Sequence, residues 1–270
     1  MIARPLTRSG RALGLAASLA VMMSGCVRTN YNAASHQQEY TLTSTDREVE
    51  MGRKIAHQVK EKETVVVDEP MQERVRTIGQ RLAAVCDRKE LVYQFTVIED
   101  KEVNAFSLPG GYVFVNDGLV KKVATDDELA AVIGHEIAHI VARHAVKRYE
   151  SGLGAHVVQL ASLAAARDAK AIQGLSLAMQ AAQLSYARKD ELEADRLAIG
   201  YLKAARFDPK AMMTFLTRLH QLDQDTPHYV PRGVSRVRYA MTHPYITDRI
   251  RQIKEQLFGV ADYIDYLNQQ

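Results

Sequence analysis

The stretch from Thr125 to about Tyr149 leaves this chain the least freedom. Thr125 followed by Glu128 forms a capping box, and the residues after it read as one helix to about Tyr149. Ala131, Val132, Ala138, Ala142 and Val146 flank one side, and Ile133, Ile137, Ile140 and Val141 cover much of the rest, which marks a buried helix. Into that apolar surface the sequence sets His135, Glu136 and His139, groups that cannot be buried without partners. Positions four apart stack on one face, so both imidazoles can present a ring nitrogen to an ion about 2 Å away, with Glu136 to the side near a bound water. The spacing predicts a metal-binding helix with a base attached.

A catalytic zinc takes three protein ligands and keeps a fourth position for water. The candidates for the third ligand lie in Asp190-Glu191-Leu192-Glu193-Ala194-Asp195. Projected at about 100° per residue, Glu191 and Asp195 fall inside the apolar stripe of Leu184, Ala187, Ala194, Ala198, Tyr201 and Leu202. Glu193 falls opposite, with Lys189, Arg196 and Lys203, on a face that reads as solvated. Two carboxylates in a core stripe require compensation, by a cation such as zinc or by an internal salt bridge to an arginine.

His135-Glu-x-x-His139, followed on a later helix by Glu191-x-x-Ala194-Asp195, resembles the zinc metallopeptidase family that includes CAAX prenyl proteases, HtpX, BepA and LoiP. Asn104-Ala105-Phe106 with Pro109-Gly110-Gly111, and Thr242-His243-Pro244 with Arg249, are similar to further family elements. The resemblance implies an α+β, mainly helical zincin-type domain with a small, largely antiparallel sheet beside the metal helix. It implies one Zn2+ per chain on His135, His139 and Glu191, with Asp195 supporting a ligand histidine. Glu136 would act as base, with zinc polarising the scissile carbonyl. His243 and Arg249 would lie near the metal, positioned to stabilise an oxyanion, and in BepA-like members a histidine at the place of His243 can instead occupy the open site and hold the enzyme latent. Asn104, Ala105, Phe106, Gly110, Gly111 and Tyr112 would bind an extended peptide along an open sheet edge, either Asn104 to Leu108 or Tyr112 to Asn116. Of the other histidines, His57, His144, His156, His220 and His228 read as structural. The plan is closest to LoiP-like lipoprotein proteases, since neither membrane spans nor a carboxy-terminal repeat array is legible.

Arg4, Arg8 and Arg11, an apolar run from Ala12 to Met23, and Ser24-Gly25-Cys26 form a secretory signal ending in a lipobox-like cysteine. Residues 1–25 read as a lipoprotein signal peptide, and Cys26 as the lipidated residue that anchors the chain to a membrane. Val27, rather than an aspartate, follows the cysteine, which points to the periplasmic face of the outer membrane. The whole chain carries a net charge of +3; subtracting the three signal arginines leaves 0, so nothing argues for nucleic acid as a partner. The partners implied are unfolded or misassembled envelope proteins and the outer-membrane assembly machinery. A non-proteolytic chaperone or assembly factor with a structural zinc is the competing reading.

Residues 26–43 are polar and aperiodic and read as a tether, 44–260 as the catalytic domain, and 261–270 as a tail. Thr45 and Glu48 open a helix to about Lys62, and a second runs from Pro70 to Cys86, burying a lone thiol. Val92 to Ile98, Asn104 to Leu108 and Tyr112 to Asn116 read as strands, the last two joined by the Pro-Gly-Gly turn. Leu153 to Leu184 is Ala-rich and helical, interrupted by Arg167, Asp168 and Lys170, which argue against a membrane hairpin. Further helices cover about Ser185 to Ala205, begin at Asp208-Pro209, and end near Phe258, with Asp223 to Met241 irregular.

Overall fold

The computed structural model describes residues 28–32, 37–152, 187–225 and 238–268. The signal, Cys26, the Ala-rich stretch 153–184 and most of the segment 223–241 lie outside them. In chain order the elements are β1 (Arg28–Asn32), β2 (Gln37–Thr41), α1 (Thr45–Lys62), α2 (Glu69–Ala83), β3 (Gln94–Ile98), β4 (Ala105–Leu108) and β5 (Tyr112–Asn116). There follow α3 (Asp117–Lys122), α4 (Asp126–Val141), a helical stretch α5 over 144–152, α6 (Arg188–Ala204), α7 (Lys210–Asp225), α8 (Arg238–Thr242) and α9 (Ile246–Asn268). The class is α+β and mainly helical, as the sequence suggests. No described helix is long and apolar enough to cross a membrane.

Helix starts follow local chemistry. Thr125 accepts a hydrogen bond from the Glu128 N–H, and the Glu128 carboxylate reaches back to the Ala124 N–H, so the expected box is present with its return bond shifted by one residue. At α1 the cap is Ser44, not Thr45, and accepts from the Arg47 N–H. Glu48, freed from capping, turns inward and pairs with Arg88 at 2.8 Å and Arg143 at 3.1 Å. Asp68 caps α2, which stops at Ala83, three residues short of Cys86. Cys86 is a buried free thiol, as expected. Asp208 accepts from the Lys210 N–H at the start of α7.

The sheet has the order β3-β5-β4. β4 and β5 form the antiparallel hairpin that the Pro-Gly-Gly turn announces, with Ala105 opposite Val115 and Leu108 opposite Tyr112. β3 pairs with β5 in parallel, Gln94 beside Tyr112 and Ile98 beside Asn116, so the sheet is mixed where a largely antiparallel one was expected. Turn residues specify only the hairpin; the side on which β3 adds depends on where α2 docks. The outer edge of β3 is closed. Val66 N–H donates to the Val97 carbonyl, and the Gln72 amide bonds both the N–H and the C=O of Val97. β4 is the other edge, and β5, central, has none. One face of the sheet sets Ala105, Val113 and Val115 into the main core, while Tyr112 and Phe114 face α1 at Ala56. Gly52 permits that approach, since a Cβ there would lie 1.8 Å from the Pro109 oxygen.

Three further expectations change. The stretch read as a tether contains the antiparallel ribbon β1–β2, and Glu150 ties its end down by accepting from Thr41 Oγ1 and from the N–H groups of Leu42 and Thr43. The metal helix does not run unbroken to Tyr149. α4 ends at Val141, Arg143 takes φ 57°, and helix resumes at 144, with the Arg143 guanidinium held by Glu48 and the Thr43 carbonyl. The tail is also partly helical: Gly259, at φ 71°, interrupts α9 just after Phe258, and the helix continues to Asn268. At the centre, every residue of α4 from Glu128 to Val141 is buried, enclosed by α2, α6, α7 and β4. Full burial of Ile133 or Ile137 stabilises by roughly 1.5–3 kcal/mol each.

Candidate metal centre

α4 brings His135, Glu136 and His139 to one place, and α6 crosses it to add Glu191 and Asp195; all five are buried. His243, between α8 and α9, closes the group. His135 Nε2 lies 3.0 Å from His139 Nε2, 3.3 Å from His243 Nδ1 and 3.4 Å from Glu191 Oε2. His243 Nδ1 lies 3.2 Å, and His139 Nε2 3.5 Å, from Glu191 Oε1. These separations are those of donors around one small cation: metal–nitrogen bonds of about 2.0–2.1 Å in a tetrahedron give edges of about 3.3–3.4 Å.

The chemistry of the donors fits a cation as well. His135 Nδ1 is 2.8 Å from Asp195, and His139 Nδ1 is 2.7 Å from His144, so the two Nε2 atoms face each other with a proton or a metal required between them. Buried Glu191 Oε2 and Glu136 Oε1 accept no well-aligned hydrogen bond; their neighbours are the ion-pair contacts of Arg249 and His243. Burial and Arg249 push the His135 pKa down, but Asp195 and Glu191 outweigh them and raise it to about 9. Burial and the neighbouring His135 charge hold His139 well below its ordinary value. The metal-free group therefore keeps one proton where a metal would sit. Glu191 stays ionised: burial opposes this, but His243 and Arg249 overcome it.

Arg249 is the arginine that the salt-bridge alternative invoked, and it coexists with the donor cluster rather than replacing it. Its guanidinium forks onto Asp195 with two contacts of 2.7 Å, lies 2.9 Å from Glu191 Oε2, donates to the His243 carbonyl and reaches His135 Nδ1 at 3.3 Å. The side chain is fully buried. These contacts set Arg249 against the two carboxylates and the Nδ1 side of His135, away from the facing Nε2 atoms where an oxyanion donor was expected. Glu136 points Oε2 at Ser107 of β4, which donates at 2.8 Å, and Oε1 toward His243 Nε2 at 3.3 Å.

The expected peptide-binding residues divide. Asn104 is buried and accepts from Thr242, joining the strand to the Thr-His-Pro segment. Ala105 faces the core, and Phe106 stacks on Phe114 on the α1 side. Gly110, Gly111 and Tyr112 are buried against α1 and residues 92–93, and Tyr112 is in the central strand, so among the described residues the unpaired edge of this sheet is that of β4. Glu193 is not on a solvated face but accepts from His144, itself buried against His139. His144, Glu193 and Ser107 escaped the sequence reading, as did Tyr239, whose ring stacks on His243 at 4.5 Å. The Arg-His pair closing α4 was the one signal available for His144. Of the remaining histidines, His57 is exposed and His156 and His228 lie outside the described residues.

The profile described as peptidase family M48 matches residues 69–257, which contain the whole cluster. The chain belongs to peptidase family M48. Among its relatives are the beta-barrel assembly-enhancing protease of Escherichia coli (strain K12), 27% identical over 224 residues, covering 79% of this chain and 44% of that protein. The mitochondrial metalloendopeptidase OMA1 of Schizosaccharomyces pombe is 33% identical over 183 residues, 68% of this chain and 52% of its own length. Metalloprotease LoiP of E. coli is 27% identical over 223 residues, 79% of this chain and 87% of its own length. The chain spans about half the length of several of the curated relatives it matches. M48 membership agrees with the family that the two motifs suggest.

Proposed function

We propose that this chain is a zinc-dependent metalloendopeptidase of the bacterial cell envelope. Anchored through Cys26 at the periplasmic face of the outer membrane, it hydrolyses peptide bonds in unfolded or misassembled envelope proteins. The observation that carries the reading is Glu136: a buried carboxylate with one oxygen fixed by the edge strand and the other 3.3 Å from His243 Nε2, beside the four-donor cluster. A zinc ion on His135, His139 and Glu191 would supply Lewis acidity, making water a nucleophile near neutral pH and polarising the scissile carbonyl.

The chain's own residues do the rest. An extended substrate adds to β4 as a strand, and Ser107 fixes the base at that edge. Glu136 Oε1 takes the proton of the attacking water and returns it to the leaving amine. Asp195 and Arg249 hold His135 and Glu191 in place. His243 must swing away to admit substrate, since its ring stands against both Glu136 and Glu191. An extended, unpaired backbone is what an edge strand accepts, which favours unfolded chains. The names of the assembly-enhancing relatives support a link to outer-membrane assembly.

The same His243 contact supports a second reading, a chaperone or assembly factor whose zinc is structural, because structural zinc sites are closed by four protein ligands. Casein digestion separates the two. Wild-type chain should degrade casein, and Glu136→Gln should lower kcat by about 10²–10⁴-fold with zinc content unchanged. Equal degradation by both, unaffected by a chelator, would sink the proteolytic reading.

A further inference from the structure

His144 is the buried histidine that the reaction leaves unused. In an unbroken helix a residue five past His139 would point about 140° away from it. The left-handed turn at Arg143 (φ 57°) breaks the helix, and His144 returns to the back of the His139 ring. Its Nδ1 lies 2.7 Å from His139 Nδ1, and its Nε2 lies 3.2 Å from Glu193 Oε2. Asp190, at 3.7 Å, is beyond hydrogen-bond reach. The Glu48 carboxylate and the Thr43 carbonyl hold Arg143, so α1 and the segment before it fix the turn.

Hydrogen positions follow from the partners. Glu193 as a carboxylate only accepts, so His144 Nε2 carries a hydrogen. Neutral His144 then accepts at Nδ1, and the 2.7 Å contact requires His139 Nδ1 to donate. His139 is left with a lone pair on Nε2, the atom that faces the donor cluster. Were His144 to donate at both nitrogens, His139 would turn an N–H toward the cluster and could not ligate. Asp195 does the same service for His135 directly.

We infer that the Glu193–His144 pair is a positioning relay that sets the tautomer and orientation of His139 and thereby strengthens metal binding. The inference rests on the metal site proposed above. The test is zinc affinity of the full chain, measured by competition with a chromophoric chelator, with Co2+ absorption as a second readout of ligand geometry. His144→Ala and Glu193→Ala should weaken zinc binding by about 10–100-fold. Glu193→Gln keeps an oxygen that accepts from Nε2, so it should stay closer to wild type than Glu193→Ala; a merely structural role would show instead as a lowered metal-free melting temperature of Glu193→Ala. Metal-free melting of the Glu193 variants should match wild type. If His144→Ala fails to fold without metal, the Glu193 pair decides. Wild-type affinity in Glu193→Ala, with His135→Ala losing zinc, overturns the relay and leaves the metal site standing. A wild-type chain that takes up no zinc overturns both.

Discussion

Arg249 offers the sharpest test of how the site is held. It is fully buried and serves two carboxylates that are themselves fully buried, forking onto Asp195 and touching Glu191. Arg249→Met keeps much of the volume and removes the charge. Breaking a buried ion pair by deleting one partner costs about 3–5 kcal/mol, because the survivor stays desolvated and uncompensated. For a domain of this length each kcal/mol moves Tm by about 2–4 °C, so the metal-free variant should melt roughly 6–20 °C below wild type. Arg249→Lys should recover only part of this, since an ammonium retains the charge but not the fork. Added zinc should restore more of the loss in Arg249→Met than in wild type, because the dication takes over the compensation of Glu191. Circular-dichroism melting in the presence and absence of chelator measures all three. A metal-free Arg249→Met chain melting within about 3 °C of wild type would refute the reasoning, since that is less than the smallest effect a buried uncompensated carboxylate allows.

Ser107→Ala removes the one hydrogen bond to Glu136 Oε2 and should lower kcat on casein by about 5- to 10-fold, the equivalent of roughly 1 kcal/mol, with zinc content unchanged. His243→Ala frees the space between Glu136 and Glu191 and should raise basal cleavage; an unchanged or lower rate with zinc still bound would count against a gating ring. Zinc binding should release close to one proton at pH 7–8, because metal-free His135 titrates at about 9. Below that pH the metal competes with the proton, so apparent affinity should rise about tenfold per pH unit up to about 9 and then level off. Calorimetry in buffers of different ionisation enthalpy counts the protons, and a count near zero at pH 7.5 would contradict this balance.

The sequence by itself determined whatever depends on neighbours along the chain. The spacing of His135 and His139, the place of Glu191 and Asp195 inside an apolar stripe, the Thr125 cap and the Pro-Gly-Gly hairpin turn are all local patterns with periods of a helix or a turn. Each is visible because burying a charge or a glycine within such a pattern demands an explanation. Only the tertiary structure decided the rest. The parallel pairing of β3 depends on where α2 docks, and the open edge at β4 on Gln72 and Val66 closing the other side. The break at Arg143 depends on Glu48, nearly a hundred positions earlier, as the roles of His144 and Glu193 do in turn. The family resemblance implied an oxyanion donor at Arg249. Packing turned its guanidinium to the back of the ligands, because two buried carboxylates bind it more strongly than an open cleft could.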